Sequence, residues 1–236
     1  MKQIKMSLAL WVLAVSATLN ADHKTKAIDT LEDEISFWAF QEKEHAEFCV
    51  DFTEKKELKD EGLRLSNEFE KIHQNPEDTK GEFLDLTKQA KKFQKKVAWS
   101  LKKDHPDYKI RKDLIDHMNL EANYVEKKLK NKISAKDEVK FWIEEHEGEA
   151  KATAYFIDQD TPLKKEANEL AQDLKQKEAH GQPELRIASI ANKELDEISE
   201  KLAEDPELTR MPEKLAEHEK RERERAAEIF KRLGVK

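Results

Sequence analysis

The placement of the prolines most constrains what this chain can fold into. All six, at 76, 106, 162, 183, 206 and 212, fall between stretches whose apolar residues recur every three or four positions. Local start signals agree. Thr30 to Asp33 (TLED) reads as a capping box that opens a first helix, and Ser134 in SAKDE opens a fifth. Thr161-Pro162 is an N-cap followed by proline at the first helical position. This punctuation predicts helices over 31–53, 57–74, 82–103, 108–131, 135–158, 162–179, 184–203 and 212–233. With 5 glycines, and charged residues at 40%, the composition suits long amphipathic helices and not a β-rich fold. The fold class is therefore all-α.

The eight stretches read as four repeated once. Glu34-Ile35-Ser36-Phe37-Trp38 matches Glu138-Val139-Lys140-Phe141-Trp142, and LKDEGLRLSNEF from Leu58 matches LKKEANELAQDL from Leu163. LIDHMNLEANYVEKKL from Leu114 matches LAEHEKRERERAAEIF from Leu215 more loosely. The order is kept at nearly constant separation, which implies two tandem four-helix units, 22–132 and 133–236. An interleaved eight-helix assembly is the alternative. Residues 1–21 read as a signal peptide: MKQIK is basic, the apolar run after it is short, and cleavage fits after Ala17 or Ala21. Export to a periplasmic or extracellular space follows, with no membrane contact beyond that segment; a retained anchor is the alternative. Cys49, the single cysteine, allows no intrachain disulfide. The formal charge of −7 comes from mixed signs without a basic face, which argues against a nucleic-acid partner.

Several helices carry acids and imidazoles inside their apolar stripes. In the first helix the stripe is Ile35, Trp38, Glu42, His45, Cys49 and Phe52; in the fifth it is Val139, Trp142, His146, Glu149, Thr153 and Phe156. The fourth helix places His117 and Glu121 between Leu114 and Val125, and the eighth places His218 and Glu222 between Leu215 and Ala226. Spacings of three and four put each pair on one face of one turn. A buried carboxylate needs a compensating cation or hydrogen-bond network, and a divalent metal supplies it. Imidazole with carboxylate suits iron or manganese, and zinc also fits. The candidate ligands are Glu42, His45, His117 and Glu121 in the first repeat, and His146, Glu149, His218 and Glu222 in the second, each set aimed at its own core. Glu61 and Glu166, at stripe edges in the second and sixth helices, are second-rank candidates.

ISFWAFQEKEHAEF together with LIDHMNLEANYVEKKL resembles a bacterial family of tandem ferritin-like four-helix repeats whose function is unassigned. The resemblance runs from about Glu34 to Leu233 and rests on Phe-Trp, Glu-His-Ala and His-x-x-x-Glu-Ala. It implies a bundle with an iron or manganese centre, held by the same eight residues. The Glu-x-x-His order of Glu42 and His45 is reversed at His146 and Glu149. Two functional readings stand at this point. One is an exported metal-binding bundle with oxidoreductase or metal-handling activity, one or two ions per site. The other is a metal-free scaffold whose charged helix faces, above all Lys214 to Lys231, engage a second copy or a protein partner.

Overall fold

The computed structural model describes residues 30–157, 161–179 and 185–234. The leader assigned to 1–21 and the turn expected at Gly181 and Pro183 lie outside them. Among the described residues there are eight α-helices: α1 (Leu31–Phe52), α2 (Lys56–Gln74), α3 (Lys80–Ser100), α4 (Tyr108–Leu129), α5 (Ala135–Phe156), α6 (Pro162–Ala179), α7 (Leu185–Glu204) and α8 (Glu213–Arg232). A short 3-10 turn, Pro206–Leu208, precedes α8. The described residues are all-α, apart from one isolated antiparallel bridge between Ile157 and Thr209, as the periodicity implies. No described helix is long and apolar enough to cross a membrane.

The caps form as their sequences dictate. Thr30 Oγ1 accepts from the Asp33 amide at 3.1 Å, and Lys164 donates its amide to Thr161 Oγ1 at 3.2 Å. Ser134 and Asp137 complete a reciprocal capping box at the start of α5. The sharp turn before it, which joins the two halves of the chain, ends α4 in a Schellman motif. The Lys132 amide bonds Lys127 O and the Asn131 amide bonds Lys128 O, both at 2.9 Å, with Asn131 at φ 53°. Asparagine tolerates that left-handed conformation at little cost. α3 stops at Ser100, three residues short of its expected end, where Leu101 turns extended.

α1 and α5 are buried on nearly all sides, which places them centrally; α2 and α3 flank one side and α6 and α7 the other. α4 and α8 complete a central quartet through side chains. α1 meets α8 at Gln41–Glu222 and Glu34–Arg225, and α4 meets α5 at Tyr124–Glu138. One apolar core runs from Ile35 to Phe230 through both halves, with a small satellite around Ile157 and Ile198. An aromatic plug closes one end of the quartet. Tyr124 stacks on Phe141 at 3.7 Å, with Trp38 and Trp142 edge-on to Tyr124 at 5.7 and 6.3 Å. Gly62 permits close packing of α1, α2 and α3, since a Cβ there would lie 2.5 Å from Val50 Cγ2 and 2.7 Å from Phe93 Cζ.

Candidate metal centre

Past the aromatic plug, the quartet turns polar. His45 from α1, His117 and Glu121 from α4, Glu145 from α5, and His218 and Glu222 from α8 converge there. Ligand-type atoms of His45, Glu121, His218 and Glu222 all lie within 4.8 Å of one another, and so do those of His117, Glu121, Glu145 and Glu222. Glu121 and Glu222 belong to both groups. The side chains expected in two separate interiors therefore meet in one cluster at the junction of the two halves. The reason is that the faces of α1 and α4 bearing them are covered by α8 and α5, not by α2 and α3.

Individual contacts fix how the imidazoles point. His218 donates Nδ1–H to Glu44 Oε2 at 2.8 Å, which leaves Nε2 aimed into the cluster. His45 has Nδ1 3.6 Å from Glu42 Oε2 and turns Nε2 inward, 3.3 Å from Glu121 Oε2. The two inward nitrogens, of His45 and His218, stand 3.2 Å apart. Two lone pairs at that distance repel unless a proton or a cation sits between them. Two nitrogens each ~2.1 Å from one ion at a tetrahedral angle would be ~3.4 Å apart, close to what is observed. His117 sets Nε2 2.7 Å from Glu145 Oε1 and 3.6 Å from Glu121 Oε1.

The acids have imidazoles and not permanent cations beside them. No hydrogen bond reaches either oxygen of Glu42, Glu121 or Glu145, or Oε2 of Glu222, and all four residues are at most 1% exposed. Each orphaned buried charge costs several kcal/mol, which a divalent cation would offset. Protons are the only other remedy the cluster contains. Burial, reinforced by Glu222 and Glu145, holds the Glu121 carboxyl well above the ordinary range; burial with Glu222 and Glu149 does the same to Glu145. Burial works against the charged form of His218 too, but Glu222 and Glu44 outweigh it and lift the imidazole to about 10. Burial likewise opposes ionisation of Glu222, yet His218 draws that carboxyl well below its usual value. Burial pushes His117 down. Such a donor set could hold one or two divalent metal ions.

The remaining candidates lie elsewhere. His146 bonds Glu149 Oε2 through Nδ1 at 2.9 Å, and Glu149 Oε1 faces Arg223 Nη1 at 3.7 Å. That pair is buried beside the converging groups, with Glu149 lining the same small cavity, but belongs to neither ligand group and has a guanidinium as its cation. Glu42 is an outer neighbour of His45. Glu61 and Glu166 are corrected outright: both turn to the surface, where Lys96 binds Glu61 at 2.8 Å and Lys201 binds Glu166 at 3.1 Å. At a stripe edge a long acid reaches water and a lysine more cheaply than a dry core. The sequence reading missed Glu145 and the orienting acid Glu44. Glu145 stands three residues after Trp142, on the same broad face as His146; a stripe wider than three-and-four spacing would have included it.

A cavity of ≈ 20 Å³ adjoins the cluster, walled partly by Phe48, Leu114, Met118 and Leu215. It suits small ions or a diatomic molecule and excludes organic substrates. No known protein-family model, curated protein or solved structure matches the chain.

Proposed function

We propose that this is an exported metal-binding protein built from two ferritin-like four-helix repeats, 22–132 and 133–236, which share one dinuclear site between them. Glu121 and Glu222, common to both ligand groups, would serve both positions. His45 and His218 complete one, and His117 and Glu145 the other. The observation that carries this reading is the set of buried carboxylates whose oxygens have no hydrogen-bond partner, facing inward imidazole nitrogens. Glu121 and Glu145 have no hydrogen bond at either oxygen and Glu222 has one at Oε1 alone, from Gln41, so bound divalent cations would offset their burial.

Several features support the finer parts of the reading. Corresponding ion pairs, Lys96–Glu61 and Lys201–Glu166, occur at matching places in the two halves, in keeping with a repeat. The basic start and short apolar run of residues 1–21 support export. A donor set of three imidazoles and hard carboxylates accommodates iron, manganese or zinc, and the resemblance to ferritin-like repeats favours the first two.

Bound there, iron or manganese supplies redox chemistry toward dioxygen or peroxide. The chain's own contribution is to orient and enclose. Glu44 holds the His218 tautomer through a hydrogen bond, and Glu42 stands 3.6 Å behind His45 Nδ1 without one. Apolar walls around the cavity exclude bulk water and limit reactants to the smallest molecules.

The test is elemental analysis of protein purified without chelator and then reconstituted with iron, manganese or zinc. About two ions per chain are expected, from the two ligand groups that share Glu121 and Glu222. Absence of bound metal after reconstitution with all three would refute the proposal.

A further inference from the structure

The two positions of the cluster differ in their access to solvent. His45, Glu121, His218 and Glu222 are at most 4% exposed, whereas the His117 side chain is 14% exposed. His117 stands at the floor of a surface groove between α4 and α5. Leu114, His117, Gly148 and Ala152 line both this groove and the cavity at the cluster, so the two spaces share a wall. Gly148 keeps that wall thin. A Cβ at position 148 would lie 2.3 Å from His117 Nδ1 and 2.6 Å from its Cε1, so any side chain there displaces the imidazole.

Acids also outnumber bases along the groove. Asp113, Asp116, Glu144 and Glu147 line it against a single lysine, Lys151. Asp116 and Glu144 pair with Lys112 and Lys140, which lie outside its lining, while Lys151 holds Glu147 at 2.5 Å. An acidic mouth leading to buried acids without hydrogen bonds focuses cations inward. Just behind His117, Glu145 is 1% exposed and accepts no hydrogen bond at either oxygen.

We infer that the groove between α4 and α5 is the port through which divalent cations reach the cluster, and that the His117–Glu145 position is its exchangeable member. The ion at His45 and His218 is retained. The inference rests on the proposed pair of cations. It assigns the asymmetry a consequence: one ion leaves and returns through the groove, and the inner ion leaves only behind it.

The test uses the full chain loaded with manganese(II), whose loss to EDTA is followed by electron paramagnetic resonance. Extraction in two phases of equal amplitude is expected. The surface variant Asp113→Asn/Asp116→Asn should take up the fast-phase ion about threefold or more slowly at low ionic strength, reach the same final content, and match the parent in high salt. Gly148→Ala should lose the fast phase and keep the slow one. Two ions leaving in a single phase, or a double variant that loads at the parent rate, would overturn the inference and leave the metal site standing. A parent chain that binds no manganese, iron or zinc would refute the metal site and this inference together.

Discussion

Glu42 and His146 each stand four residues after a core tryptophan, Trp38 or Trp142, yet the two flanks of the quartet solve burial differently. On the α5 flank, His146 bonds Glu149, and Arg223 faces the acid's other oxygen while holding Asp196 at 2.8 Å. On the α1 flank, Glu42 accepts no hydrogen bond, and His45 turns toward Glu121 and His218. Glu121, Glu145 and Glu222 pair with histidines, not with a permanent cation. The comparison separates an acid that faces a permanent cation from acids whose charged neighbours are imidazoles alone.

Breaking the comparison at the cluster should have the largest effect. Glu121→Ala removes a ligand common to both groups, so bound metal should be lost and with it the stabilisation metal confers, about 2.7 kcal/mol per ion when free metal is a hundredfold above Kd. Elemental analysis and denaturant melts with and without metal check both parts. The matching change on the other flank, Glu149→Gln, should leave the metal content intact and cost about 2–3 kcal/mol, because Arg223 loses one buried partner and keeps Asp196. Chemical denaturation measures it; loss of metal in this variant would erase the distinction between the flanks.

The pH response sharpens the contrast without any mutation. Burial, then Glu149, raises Glu219 to about 8, and Glu121 and Glu145 are raised as well. These groups bind protons more tightly folded than unfolded, so the stability they contribute is full below pH 4.5 and is lost as pH rises from there, through about 8 for Glu219. Metal-free protein should therefore weaken from pH 5 to 8. Metal-loaded protein should show the opposite slope, since the ligands must be ionised to bind. Thermal melts across that range, with EDTA or with manganese, decide it. The smallest effect is expected from Glu61→Gln and Glu166→Gln, exposed pairs worth about 0–1 kcal/mol each, with unchanged metal content.

Much of this molecule was legible in the sequence, for identifiable reasons. Helix starts were written in Thr30, Ser134 and Thr161, whose hydroxyls bond amides in the first turn of their own helices. His45, His117, Glu121, His218 and Glu222 were visible because polar residues break the apolar period of long helices. What periodicity could not show is which helix covers each face. α8 packs its stripe on α1, and α4 brings His117 to Glu145, so imidazoles and acids from the two halves combine in one place. His146 and Glu149 were in phase with the others, but Arg223, on a helix read as charged surface, reaches them and is only 2% exposed. Glu145 was hidden because α5 is buried around most of its circumference, which blurs the stripe.

The most direct measurement is anomalous X-ray diffraction from crystals of the full chain grown with manganese. The account predicts two peaks inside the quartet, one between His45 and His218, one between His117 and Glu145, with Glu121 and Glu222 touching both. An interior without a peak, its acids bridged by shared protons, would contradict it.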